Sequence, residues 1–416
     1  MNTPKALLPL EDALSELRVF ASPSLGVERV DTFDLDGRVL REDLISELCV
    51  PPCDNSAMDG YAVRAEDVSA PGAVLKVTQR IPAGTSGQII REAEAARIFT
   101  GAPIPPGASA VVVQEECETL EDGRIRVRTQ GVKGQSIRLA GEDIAKGETI
   151  LKSGSILSPA TLGMAASLGR KDLLVSLKPR VALFSTGDEL VMPGEVAPKD
   201  MGIGKIYNSN RFFLKSLLIR SGCLVTDMGN IPDNKDATIK CLANAAQNHD
   251  LILTSGGVSV GEEDHIKPSV QALGELHQWA LAIKPGKPFA YGRLNNSQND
   301  STGYTHFIGL PGNPVSSYMT FLLLVKPFLS FLQGAKEVSY RHIPLRANFE
   351  WPKADKRREF LRVRLNAEGS LDLFNNQSSG VLTSVVWGDG VVDNPPGQVI
   401  KIGDIVKYIT FESWTQ

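Results

Sequence analysis

The chain is poor in the residues from which most metal and nucleophile sites are built. Its 416 residues include five cysteines (Cys49, Cys53, Cys117, Cys223, Cys241) and five histidines. No two cysteines form a C-x-x-C pair and the histidines lack zinc-ligand spacing, which sets aside zinc fingers and ribbons. An odd, scattered set of thiols suits a reducing compartment, so a cytoplasmic location is expected. No Ser-His-Asp or Cys-His pattern is evident, and Gly202-Ile203-Gly204 is too short a match to a dinucleotide fingerprint. Charge of one sign is lacking too. The net charge is −4 with acids and bases well mixed, which argues against a nucleic-acid surface. Long hydrophobic runs are missing: Met319 to Leu332, the richest, is interrupted by Lys326 and Pro327 and reads as too short to span a bilayer. Near the N-terminus Glu11 and Asp12 follow the first apolar patch too soon for a signal peptide. Neither a membrane nor a nucleic-acid partner is expected.

What the chain does have is length, glycine and a change of period. With 416 residues one core is not enough, and two to four domains are expected. Leu10, Leu14, Leu17 and Phe20 line one side of a short amphipathic helix. From Ala65 to Thr149 short strands are punctuated by Gly and Pro, the pattern of a β-rich segment. Ile156 to Ala166 reads as a helix. From Arg180 the period changes. Strands are expected at Arg180 to Phe184, Cys223 to Asp227, Leu251 to Thr254, Leu281 to Ile283 and Phe307 to Leu310. Helices are expected at Asn208 to Arg220 (Asn208 or Asn210 as N-cap), Asp233 to Gln247, Asp264 to Leu273 and Val315 to Leu332. Such alternation predicts a doubly wound α/β domain, a parallel sheet with helices on both faces. After Gly334 short alternating segments (Phe360 to Leu365, Leu371 to Phe374, Val399 to Ile402, Val406 to Thr410) predict a small β-barrel or sandwich.

Ligands of open α/β sheets sit beyond the carboxyl ends of the strands. Five polar or Gly/Pro turns follow strands here: Ser185 to Glu189, Asp233-Asn234, Ser255-Gly256-Gly257, Lys284-Pro285-Gly286-Lys287-Pro288 and Pro311-Gly312-Asn313-Pro314. Glycine lets a backbone approach a ligand, and the N–H groups opening a helix attract anions. One helix end contributes about 0.3–1 kcal/mol, whereas micromolar binding needs about 8 kcal/mol, so a nucleotide-like ligand needs further contacts. Acids beside turns (Asp59, Asp143, Glu189, Asp233, Asp264) suit a phosphate ligand only with a divalent cation between, and Mg²⁺ shares oxygen ligands with phosphates. Lys284, Lys287 and Arg357 supply positive charge for an anion. Taken singly, each is more often a solvated surface charge, and the Asp54 to Val63 loop more often a plain turn. Phosphoanhydride hydrolysis asks for positioning and charge stabilisation rather than a protein nucleophile.

Seven segments in order make a more specific signal: Asp54-Asn55-Ser56-Ala57-Met58-Asp59-Gly60-Tyr61-Ala62-Val63, Thr100-Gly101-Ala102-Pro103-Ile104-Pro105, Gly141-Glu142-Asp143-Ile144, Ser185-Thr186-Gly187-Asp188-Glu189-Leu190, Ser255-Gly256-Gly257-Val258-Ser259-Val260-Gly261-Glu262, Lys284 to Pro288, and Leu310 to Pro314. Through them the chain resembles the molybdopterin molybdenumtransferase family (MoeA and the gephyrin E domain) over nearly its whole length. The resemblance implies four parts: residues 1–53 with 144–176 as an extended linking domain, 54–143 as a β-rich inserted domain, 177–332 as a molybdopterin-binding α/β domain, and 333–416 as a C-terminal β-barrel. It implies a homodimer whose active site is shared between subunits. The implied reaction inserts molybdate into the dithiolene of adenylylated molybdopterin with Mg²⁺-assisted release of AMP. Exchange with a molybdopterin adenylyltransferase and with molybdoenzyme acceptors is implied as well. By motif match Asp59, Thr100, Asp143, Glu189, Asp233, Asp264 and Lys284 would be catalytic, with Asp233 and Asp264 on the metal. Lys284, Lys287, Ser316, Arg357 and Ser379 would hold molybdate. Ser255, Gly256, Gly257, Ser259, Gly261, Pro311, Gly312, Asn313 and Pro314 would cradle the pterin phosphate.

The chain departs from the family pattern in places. Ala280 stands where a basic residue is usual, Arg138 is followed by Leu139-Ala140 instead of a second arginine, Lys356-Arg357 replaces Gly-Arg, and Asp264-His265 replaces Asp-Tyr. Losing a cation at 280 weakens an anion site. An alternative reading is therefore a catalytically weakened paralogue that binds molybdopterin or molybdenum cofactor as carrier or scaffold. A CinA-like protein or an adenylyltransferase shares the α/β domain but not the long N-terminal portion or the C-terminal β segment.

Overall fold

The structure, a computed structural model, describes residues 6–22, 25–231, 234–258, 265–296, 303–338, 340–353 and 355–415. The chain divides into two compact units, one of Asp43–Lys152 with Pro159–Lys171, the other of Met1–Glu42, Ser153–Ser158 and Asp172–Gln416.

The first of these is β-rich, as its short apolar segments predict. Six strands lie in the order Ala110–Val113, Gly60–Val63, Glu94–Ile98, Val74–Ile81, Arg124–Val127, Cys117–Thr119. Because side chains alternate across a strand, neighbours separate onto two faces. Val63, Ala95 and Val112 go to one core, Ala62, Ala96 and Val111 to the other. The helix expected from Ile156 begins at Pro159 and runs to Ser167; a proline fits the first turn, where its missing N–H is no loss.

The larger unit opens with α1 (Leu10–Phe20), whose Leu10, Ala13 and Leu17 are buried. Its sheet is built from β1 (Arg180–Thr186), β2 (Leu224–Ile231), β3 (Leu251–Ser255), β4 (Gly274–Ala280), β5 (Pro288–Asn295) and β6 (Tyr304–Leu310) in the order β2-β1-β3-β6-β5-β4. The helices are α2 (Asn210–Arg220), α3 (Lys235–Asn248), α4 (Ile266–Leu273) and α5 (Pro314–Leu332). The first four strands are parallel, and β5 and β4 extend the sheet antiparallel. Alternate residues again choose the face. Val181, Leu183, Leu251, Leu253 and Ile308 pack with α1, α2 and α5, while Ala182, Phe184, Ile252 and Phe307 pack with α3 and α4.

Three expectations need correction. The apolar run at Leu281 to Ile283 is not a strand of this sheet; Ile283–Lys284 pairs with the C-terminal region instead. The apolar stretch ending at Leu332 is not too short: the expected helix runs through Lys326 and Pro327 as Pro314–Leu332, 19 residues, long and apolar enough to cross a bilayer, with 83% of its apolar window buried inside the fold. A proline lacks the helical donor and crowds the carbonyl four residues before it; here a π turn at Phe321–Val325 widens the helix just ahead of Pro327. Finally, Val399 to Ile402 contributes only a bridge from Ile400 to Trp351.

The C-terminal strands are β7 (Ile343–Ala347), β8 (Arg358–Leu365), β9 (Ser370–Leu373), β10 (Gly390–Asn394) and β11 (Ile405–Thr410). They pair as β8-β9-β7-β11-β10, and β10 returns to β8, so the sheet closes into a five-stranded barrel. Closure removes the free edges that an open sheet would expose. The two-residue strand Ile283–Lys284 is added parallel to β8.

Candidate active site

At the carboxyl rim of the parallel strands, two glycine turns are tied together by one side chain. Asn210, the first residue of α2, donates through Nδ2 to Ser255 Oγ at 2.8 Å and to the Gly312 carbonyl at 2.7 Å. The backbone N–H of Gly256 donates to the Leu310 carbonyl at 3.0 Å, and Thr186 Oγ1 to the Ser255 carbonyl at 3.3 Å. Turns after β1, β3 and β6 therefore meet, as the alternation predicts. Glycine is demanded by geometry at two of these positions. Gly256 has φ +96° and a Cβ there would lie 2.5 Å from Thr186 Oγ1; Gly257 has φ +69° and a Cβ would lie 2.5 Å from Ile266 Cγ1. Asn230 Nδ2 reaches the Gly187 carbonyl at 3.2 Å, and the exposed Glu189 folds its carboxylate over Gly187.

Of the two expected caps of α2, Asn208 is the one used. Asn208 Oδ1 accepts from the Arg211 N–H at 3.2 Å and does the capping, which frees Asn210 to point at the turns.

A second cluster forms where α5 begins. Pro314 occupies the first turn of α5, and the next N–H, of Val315, donates to the Ser379 carbonyl at 2.9 Å. Ser316 is buried beside it. A Cβ on Gly286 would sit 2.6 Å from Thr320 Cγ2 and 3.6 Å from the Ser316 carbonyl, so the Lys284 to Lys287 loop lies directly on α5. Lys284 Nζ stands 3.0 Å from Glu359 Oε1 and 3.3 Å from Asp355 Oδ2. Arg357 binds the same Asp355 through Nη2 at 3.0 Å and Nε at 3.1 Å. Glu359 is 1% exposed and accepts from Trp351 Nε1 at 2.7 Å. The Arg357 guanidinium, with Lys284 beside it, holds the Asp355 carboxyl well below the usual carboxylate range. Lys287 is exposed. Lys284, Ser316, Arg357 and Ser379 thus belong to one corner of this unit.

The remaining candidates lie in the β-rich unit. Thr100 donates to Asp59 Oδ1 from its backbone N–H and from its hydroxyl, both at 2.8 Å. These bonds stabilise the ionised form and lower the Asp59 pKa. Ser56 joins the loops: its carbonyl accepts from Gly101 N–H at 2.8 Å and it pairs with Ile137 on the strand that leads towards Asp143. Asp143 is exposed, with its N–H on the Val50 carbonyl at 3.0 Å. Ser259, Gly261, Asp233 and Asp264 lie outside the described residues. Among the described residues no group of three or more His, Cys, Asp or Glu is arranged to hold a metal ion.

Sequence reading passed over Asn210 as a site residue, and Asp355 and Glu359 altogether. A signal for the acids existed in their spacing around Arg357, since alternate residues of an incipient strand share a face.

The comparisons with known proteins agree along the whole chain. The model of the MoeA N-terminal region (domain I and II) matches residues 8–169. The probable molybdopterin binding domain matches residues 182–330, and the MoeA C-terminal region (domain IV) residues 344–411. A molybdopterin molybdenumtransferase of Haemophilus influenzae is 39% identical over 392 residues, 93% of each chain. One from Nostoc is 33% identical over 382 residues, 89% of this chain and 85% of that one. The crystal structure of the MoeA protein of Pyrococcus horikoshii superposes with a TM-score of 0.83 at 28% identity, covering 98% of this chain and all of the other. An α/β molybdopterin-binding fold joined to a β-rich portion and a closed barrel defines a protein of molybdenum cofactor biosynthesis, and a transferase. The chain belongs to the MoeA family.

Proposed function

We propose that the chain inserts molybdate into the dithiolene of adenylylated molybdopterin and cleaves the phosphoanhydride, releasing AMP. The observation that carries this reading is the pair of clusters on one unit. Two glycine turns are tied together by Asn210 at the rim of the parallel strands, and Lys284, Arg357, Ser316 and Ser379 gather at the start of α5. Turns of the first kind fit the pterin phosphate; cations and hydroxyls of the second fit a tetrahedral oxyanion. Lys287 adds a solvated cation that attracts the incoming anion. Asp59, held ionised by Thr100, is suited to orient or deprotonate the water that attacks the adenylyl phosphorus. The family resemblance assigns Asp143 and Glu189 to the same reaction.

Magnesium belongs to the proposal through Asp233 and Asp264, neither of which is among the described residues; when bound it would polarise the phosphoanhydride. Further parts of the proposal are a homodimer with shared active sites, a cytoplasmic location, and exchange with a molybdopterin adenylyltransferase and molybdoenzyme acceptors.

The test is direct. Purified protein given adenylylated molybdopterin, molybdate and Mg²⁺ should release AMP, and the rate should fall on chelation. Tight binding of the substrate with no AMP at saturation would leave the carrier reading in its place. Restored turnover in Ala280→Lys would then identify the missing cation.

A further inference from the structure

Lys284 and Arg357, the two cations assigned above to the oxyanion, already share one carboxylate, that of Asp355. We propose that Asp355 is a built-in counter-anion which occupies the oxyanion's place, so that molybdate enters by displacing it. The inference rests on the proposed function for the assignment of those two cations.

Four donors converge on Asp355. Arg357 contributes Nε at 3.1 Å and its backbone N–H at 3.0 Å to Oδ1, and Nη2 at 3.0 Å to Oδ2. Lys284 Nζ is 3.3 Å from Oδ2. This is the paired N–H geometry that a guanidinium offers to an edge of a carboxylate or a tetrahedral oxyanion alike. Lys284 has a second acid, Glu359, but that group is fixed. It is buried, it accepts from Trp351 Nε1 at 2.7 Å, and it sits on β8 inside the barrel. Asp355 lies outside the strand with its side chain 20% exposed, so it is the acid that can swing away.

The charges decide what the exchange does. Lys284, Arg357, Asp355 and Glu359 together are neutral. A dianion arriving at this cluster meets no net attraction until Asp355 leaves, when the remaining three groups carry +1. A dianion with four oxygens then offers more charge and more acceptors than the carboxylate it replaces. A monoanion such as chloride or nitrate gains nothing from the same exchange. Asp355 thereby weakens oxyanion binding overall while sharpening the preference for dianions.

The experiment is calorimetric titration of the full chain with molybdate, at fixed ionic strength, comparing wild type with Asp355→Asn, Lys284→Ala and Arg357→Ala. Asp355→Asn should bind molybdate about tenfold more tightly, the effect of removing one like charge a few ångströms from a partly solvated anion. It should also gain measurable competition by chloride. Equal or weaker molybdate binding in Asp355→Asn overturns the inference, because the carboxylate would then be a bystander or an aid in orienting the cations. Asp355→Ser gives a second neutral variant should the first fail to fold. Wild type alone supplies another reading. Replacing a non-coordinating salt by chloride should leave its molybdate affinity unchanged, and competition there overturns the idea as well. Loss of binding in Lys284→Ala and Arg357→Ala with no change in Asp355→Asn leaves the oxyanion assignment standing and removes only the counter-anion. Wild-type affinity in both cation variants removes the assignment itself.

Discussion

Thr100 gives Asp59 two hydrogen bonds, one from its amide and one from its hydroxyl, both to the same carboxylate oxygen. Donors aimed at the charged form lower its pKa. Thr100→Ala removes one donor and keeps the other, so the carboxyl should titrate at higher pH than in wild type. If Asp59 serves as the ionised base, the acid limb of the kcat/KM profile for AMP release moves to higher pH, and Thr100→Ser restores it. Asp59→Asn should lose about a hundredfold or more in rate. An unshifted acid limb in Thr100→Ala counts against Asp59 as the titrating group.

Asn210→Ala leaves the Ser255 hydroxyl and the Gly312 carbonyl without the donor they share. Stranding buried polar groups costs about 1–3 kcal/mol. Thermal melting should show that loss, and the KM for the pterin substrate should rise more than kcat falls, because both turns proposed to cradle its phosphate are loosened. Full retention of KM would separate the turns from substrate binding.

Gly256→Ala combines a left-handed backbone with a methyl group driven into Thr186 Oγ1. Strain and overpacking together should destabilise the unit by about 2–5 kcal/mol. The double variant Gly256→Ala with Thr186→Gly relieves the clash but not the backbone strain, so it should recover part of the stability in denaturant titration.

His306 is buried among Tyr291, Tyr304 and Phe328, with Nδ1 2.8 Å from the Tyr291 hydroxyl. Burial pushes its pKa down to about 3. The folded state therefore keeps it neutral, whereas the unfolded chain protonates it below about pH 6.5. In that window the unfolded state binds one more proton, and stability falls as the pH falls. The slope is roughly 1 kcal/mol per pH unit between about pH 6 and 3. Its His306→Phe variant should melt with a flatter pH dependence there, whatever its absolute stability. An identical slope in both proteins would place the acid sensitivity elsewhere.

Much of the α/β portion was legible because buried strands and helix faces leave regular apolar periods. Leu251 to Leu253, Phe307 to Leu310 and the glycine turns after them stand where the sequence puts them. The antiparallel pair β4 and β5 was not legible. The segment Gly274 to Ala280 mixes glycine, acid, histidine and tryptophan, and its side chains are covered by the aromatic cluster rather than by an alternating core. Helix α5 stands where Val315 to Leu332 predicts it, and Pro327 does not end it because burial of the apolar stretch outweighs a local backbone defect that a wider turn absorbs. In the site, residue types foretold the turns and cations, but not that Lys284 and Arg357 share an acid. Nothing local records which carboxylate a distant lysine will meet.

The two residues Ile283 and Lys284 leave the α/β region only to be hydrogen-bonded alongside β8. Lys284 is thus set by a strand more than seventy positions further along, next to Glu359. Grafting the barrel of a relative onto this chain would therefore re-aim the lysine even if no residue of the pocket rim were altered. Swapping that module is in effect a substitution at Lys284 itself.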